Sequence, residues 1–171
     1  MLELKARLNL MEDPLGPEPT PAESASFAQS AQTMADKSIT TARTGGNHPL
    51  NLPPNAKILT VTIMADKTLM PKADLTVFDE ELCNRGYQVE HLLNPASDEL
   101  RAKAPEHDAV FIHIYVEPMM TLGTVRITGG GFRNWGWRSL YTEHPQVFYT
   151  SFGSPYVTHE LPHVPVSYTH L

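Results

Sequence analysis

Lys57-Ile58-Leu59-Thr60-Val61-Thr62-Ile63-Met64 and, further along, Ala109-Val110-Phe111-Ile112-His113-Ile114-Tyr115-Val116 are the two runs that decide the fold. Both are strand-sized, rich in β-branched residues, and apolar at successive rather than alternate positions, which is the pattern of a strand covered on both faces. Strands of that kind belong to parallel sheets flanked by helices. The intervening sequence agrees. Leu75, Phe78 and Leu82 recur at helical spacing and Gly86 ends the helix, Tyr87 to Leu93 reads as a second strand, and Ser97 to Lys103 as a short helix. Beyond the Ala109 run, Gly129-Gly130-Gly131 precedes a helix over Trp135 to Tyr141, and Val147 to Phe152 is a fourth strand. Alternating strands and helices predict an α/β fold, a three-layer α/β/α sandwich with a mostly parallel sheet, over residues 55–171.

Residues 1–54 read differently. Leu4, Leu8 and Met11 sit at helical spacing but lack a start signal, as if a helix had been cut from something longer. Asp13 to Pro19 is an extended link, because each proline fixes its own φ and displaces the preceding residue from the helical region. Thr20, Pro21 and Glu23 then form a capping box with proline at the first helical position. Phe27, Ala31, Met34, Ala35, Ser38 and Ala42 line one narrow face of the predicted helix, which Gly45-Gly46 would stop. That face needs a partner surface.

Across 171 residues, 41% are hydrophobic and 19% charged, so a packed core is within reach. No run approaches the roughly 18 uninterrupted apolar residues of a membrane span, and Met1 to Arg7 is not a signal peptide. Net charge is −6 and the 13 Lys and Arg residues are scattered, which disfavours nucleic-acid binding. A lone Cys83 excludes an intramolecular disulfide and multi-cysteine metal sites.

Several short motifs carry chemistry in other contexts. His159-Glu160-Leu161-Pro162-His163 matches H-E-x-x-H, but a zinc site there needs one α-helical face, and Pro162 opposes it. No metal is expected. Ser151-Phe152-Gly153-Ser154 lies at a strand's C-terminal end, where open α/β sheets place ligands, yet its glycines do not fit a nucleophile elbow. A tight turn is the simpler reading. The triglycine loop fits neither dinucleotide nor P-loop spacing, so no cofactor is expected. Glu117, directly after the third strand, could line a cleft as an acid, although a solvated strand-end charge is the commoner role. His113 is expected to be a satisfied core histidine. Trp135 and Trp137, two apart, cannot share a helical face. Glu117, Ser151 and Ser154 are thus the substrate-lining candidates.

Lys5-Ala6-Arg7-Leu8-Asn9-Leu10, Lys37-Ser38-Ile39-Thr40, Lys57-Ile58-Leu59-Thr60-Val61 and above all Thr150-Ser151-Phe152-Gly153-Ser154-Pro155-Tyr156 resemble, in order, glycoside hydrolase family 3, particularly its β-N-acetylhexosaminidase-type members with a second domain. The resemblance implies a preceding (β/α)8 barrel as partner, ending near Met11, an interdomain connection to about Pro54, and then the sandwich. It also implies hydrolysis of terminal β-linked N-acetylhexosamine or glucose with retention, which requires two groups flanking the scissile bond. In that family the nucleophile, an aspartate, and the hexosaminidase-type histidine–aspartate acid/base lie on the barrel. The glucosidase-type acid/base glutamate comes from the sandwich, but Glu117 does not match its motif, so no catalytic residue is assigned. The expectation is a domain inactive alone, meeting carbohydrate only in the full enzyme. Val166 to Leu171 resembles a translated sequencing-adapter tail of metagenomic assemblies, and both ends therefore suggest a gene fragment. The compartment is left open. The alternative is a free-standing flavodoxin-like or Rossmann-like module that binds a small ligand.

Overall fold

The computed structural model describes residues 2–7, 18–43, 50–64, 76–116, 127, 139–152, 154–161 and 167–169. The chain divides into two compact units, residues 1–37 and 38–171.

The first unit holds α1 (Leu2–Arg7) and most of α2 (Pro21–Ser38). The capping box forms as the sequence predicts: Thr20 N donates to Glu23 Oε2 at 2.9 Å, and Glu23 N donates to Thr20 Oγ1 at 3.3 Å. These bonds favour the ionised carboxylate and hold Glu23 below its usual pKa, the bond from the Thr20 backbone being the largest cause. None of the α2 residues is buried, and Phe27 and Met34 are 62% and 72% exposed. The helix stops at Ser38, short of the expected Ala42. Ile39, Thr40 and Thr41 are β-branched and favour extended backbone, and Thr40–Arg43 is accordingly β1.

The remaining elements are β2 (Lys57–Met64), α3 (Thr76–Asn84), β3 (Gln88–Leu93), α4 (Ser97–Lys103), β4 (Ala109–Tyr115), α5 (Leu140–Glu143), β5 (Val147–Phe152) and β6 (Ser167–Thr169). The four strands read from sequence are all present, with boundaries within one residue. They form one sheet in the order β1-β6-β5-β4-β2-β3, parallel throughout except for β1, which pairs antiparallel with β6. Residues 167–169, within the stretch that resembles an adapter tail, occupy a place in the sheet between β5 and β1. Gly86 takes φ +88° after α3, a backbone conformation that glycine adopts without steric cost.

The register sorts the side chains into two unlike faces. Leu59, Val61 and Ile63 of β2 join Val110, Ile112 and Ile114 of β4 and Tyr149 of β5 in an aliphatic core capped by Leu100 of α4, Leu140 of α5, Val157 and Leu161. Burying each large side chain there contributes about 1.5–3 kcal/mol. On the opposite face Thr60, Phe111 and Phe148 form one row and Thr62, His113 and Thr150 the next, with α3 packed through Phe78, whose ring lies 5.4 Å from Phe111. Helices thus lie on both sides of a largely parallel sheet, a three-layer α/β/α sandwich.

Two asparagine and aspartate clamps hold the strand ends. At the start of β2, Lys57 N donates to Asp108 Oδ2 at 2.8 Å and Asp108 N donates to the Lys57 carbonyl at 2.8 Å. At its finish, Met64 N donates to Asn94 Oδ1 and Asn94 Nδ2 donates to the Met64 carbonyl, both at 3.0 Å, so the amide stands in for one more strand residue. Asn94 does this from φ 46°, a region that asparagine tolerates better than most residues. Among the described residues no helix is long and apolar enough to cross a membrane.

Candidate functional site

In chain order β3 is added on one side of β2, while β4, β5 and β6 build outward on the other. The direction of winding therefore reverses between β2 and β4, which makes the carboxyl ends of those two strands a topological switch point. Open α/β sheets bind ligands there. The strand-end residues are Met64, Asn94, Val116 and Phe152, which carry no acid or base, and Tyr115. Glu117 lies outside the described residues, as do the triglycine loop, Trp135, Trp137 and His163.

Ser151 and Ser154 lie together at the end of β5, 4% and 5% exposed. The Ser151 hydroxyl donates to the Ser154 carbonyl at 2.7 Å, closing a turn from within. Its hydrogen is thus directed at the backbone three residues further on. His159 and Glu160 follow in a 3-10 helix, Pro155–Glu160, not in the α-helix that an H-E-x-x-H centre uses.

One row in from the strand ends, the structure corrects the expectation for His113. The residue is in the core, 1% exposed, but it is not satisfied: neither ring nitrogen has a hydrogen-bond partner among the described residues. Its surroundings are aromatic, with Phe78 at 4.6 Å and 74°, Phe152 at 5.6 Å, and Phe111 stacked at 6.4 Å. Burial pushes its pKa down to about 4, with the nearby His91 as the second cause. Two strands away, on β3, His91 Nδ1 lies 2.6 Å from Asp79 Oδ2 of α3 and 3.1 Å from Thr60 Oγ1. The Thr60 hydroxyl itself donates to the Glu90 carbonyl, so the imidazole N–H is the donor to both oxygens. The sequence reading missed this Asp79–His91 pair. The residues are twelve apart on a helix and a strand, and only the α3–β3 packing brings them together.

The opposite face of the same edge strand carries a second group that sequence did not reveal. Glu90 pairs with Lys103, and His107 Nε2 stands 3.4 Å from Glu90 Oε2. The lysine lowers the Glu90 pKa and is itself raised in return, in each case mainly through their shared hydrogen bond. His107 Nδ1–H donates to the Lys103 carbonyl, and His144 Nε2–H donates to the His107 carbonyl while its Nδ1 accepts from Gln146 N. Both imidazoles are thereby engaged in backbone geometry. A neighbouring cleft of about 420 Å³ is lined by Arg101, His107, Asp108, Leu140, Glu143 and His144, with the Arg101–Glu143 ion pair at 3.1 Å between α4 and α5.

No family model matches the chain, and no curated protein matches it in sequence. Solved structures do. The β-glucoside phosphorylase BglX is similar over 99% of this chain and 32% of its own, with TM-score 0.64 and 19% identity. A fungal multi-domain GH3 β-N-acetylglucosaminidase with a GCN5-related glucosamine N-acetyltransferase region is similar over 92% of this chain and 17% of its own, at TM-score 0.61 and 16% identity. β-Glucosidase D2-BGL from Chaetomella raphigera is similar over 84% and 26%, at TM-score 0.56 and 12% identity. At these identities the likeness is one of fold, and the chain spans about a third or less of each enzyme.

Proposed function

We propose that this chain is the C-terminal sandwich domain of a family 3 glycoside hydrolase, with its interdomain connection, and that it is not catalytic alone. The observation that carries the proposal is coverage: nearly the whole chain is similar to part of enzymes described as acting on β-glucosides or as a β-N-acetylglucosaminidase. Residues 1–54 would then be the end of a barrel helix and the connection, and residues 55–171 the sandwich. The substrate would be a terminal β-linked N-acetylhexosamine or glucose residue, with the hexosaminidase type favoured by the motifs of the sequence. The barrel would supply the catalytic groups. The carboxyl edge of the sheet, with Glu117, Ser151 and Ser154, would border the sugar site. The structure favours for Ser151 a turn-shaping part there rather than contact through its own hydroxyl.

The winding reversal between β2 and β4 also favours a second reading, a flavodoxin-like module that binds a small ligand by itself. Hydrolysis of chromogenic β-N-acetylglucosaminide and β-glucoside separates the two. The purified chain is expected to be inactive, and the chain joined to a family 3 barrel active on one of the sugars. Activity of the isolated chain, or none from the fusion with a barrel that its own sandwich does activate, would overturn the proposal.

A further inference from the structure

Beneath the first turn of α3, polar atoms of three residues are buried without a hydrogen-bond partner among the described residues: Thr62 Oγ1, both ring nitrogens of His113, and Asp79 Oδ1. Thr62 and His113 stand directly opposite each other on β2 and β4 and are 2% and 1% exposed. Phe78 reaches across to the His113 ring on β4 while the next residue, Asp79, reaches His91 on β3 with its other oxygen. The turn therefore straddles β2, which lies between those strands, with Thr62 and His113 on the face below it. Native proteins rarely strand buried polar groups, and three on one face call for a common cause.

The donor set is complementary. An ionised Asp79 only accepts, the Thr62 hydroxyl donates and accepts, and a neutral imidazole donates from one nitrogen and accepts at the other. A water molecule that donates to Asp79 Oδ1 and to the unprotonated His113 nitrogen, and accepts from Thr62, makes three hydrogen bonds, the usual number for internal water. The remaining imidazole N–H would face the perpendicular aromatic rings of Phe78 or Phe152, a weak but real type of contact. We propose that Thr62, His113 and Asp79 form a binding site for an internal water that ties α3 to the sheet near the carboxyl ends of β2 and β4. The bridge would add to the Phe78 ring contacts and the Asp79–His91 bond in seating a nine-residue helix with no buried residue of its own.

The test uses the full chain with its histidines labelled with nitrogen-15. Cross-relaxation between water and the His113 ring should carry the sign of a long-lived complex, Thr62→Val should abolish it and lower the midpoint of urea unfolding, and Thr62→Ser should retain it. Absence of the signal in the unaltered chain overturns the proposal. So does a higher unfolding midpoint for Thr62→Val, the result expected when a dry, stranded hydroxyl is replaced by a methyl group. Should Thr62→Val fail to fold, the signal in the unaltered chain and in Thr62→Ser decides.

Discussion

A buried imidazole couples this fold to pH through His113. Its pKa falls from an ordinary value of 6.5 to about 4 on folding, so between those values the unfolded chain binds more protons than the native one. The contribution of His113 is therefore complete above about pH 6.5, declines as the pH falls, and is lost below about pH 4, a swing on the order of 3 kcal/mol. Urea unfolding at pH 7, 6, 5 and 4 should show that decline, and His113→Phe, which keeps an aromatic ring and removes the titration, should flatten it by up to one proton. An unchanged slope in the variant would mean that the ring is not held neutral by its surroundings. Sequence placed His113 in a core strand. It could not show that the neighbours are phenylalanines and threonines from three other elements, because their opposition depends on register.

Local signals were most informative where an element is made by its own residues. The capping box of α2 is an example: Thr20, Pro21 and Glu23 are adjacent in sequence, their chemistry is complete without tertiary help, and the bonds are those expected. Thr20→Ala should lower the stability of α2 by about 1 kcal/mol, read as a loss of helical circular dichroism, with Thr20→Ser retaining most of it. Loss from both variants alike would show that the cap hydroxyl is not what starts the helix. The other end of α2 was misjudged because helical spacing continued to Ala42, whereas pairing with β6 takes Thr40–Arg43 into the sheet. A strand three residues long such as β6 has no periodicity of its own and is made a strand by the neighbours it pairs with.

For the whole molecule the open question is what covers α2. Its Phe27 and Met34 are exposed at 62% and 72%. If a barrel normally lies against that helix, Phe27→Ser and Met34→Ser should shift the stability of the isolated chain by no more than about 0.5 kcal/mol, as surface substitutions do. In a fusion with a family 3 barrel the same changes should lower the unfolding midpoint. Equal effects with and without the barrel would place the barrel contact elsewhere. The comparison bears on the proposed function, because the chain spans about a third of the BglX chain that it resembles in fold.

By itself the sequence determined the α/β class, the strands β2 to β5, the helix α4 and the capped start of α2, since each rests on short-range patterning: doubly apolar runs, helical spacing and a capping box. The order of the strands, the antiparallel edge strand, the Asp79–His91 pair, the Asn94 clamp and the unsatisfied state of His113 were decided only in the tertiary structure. Each of these depends on which strands lie side by side and in what register. Such pairings join residues distant along the chain, and no local pattern in this sequence encodes them.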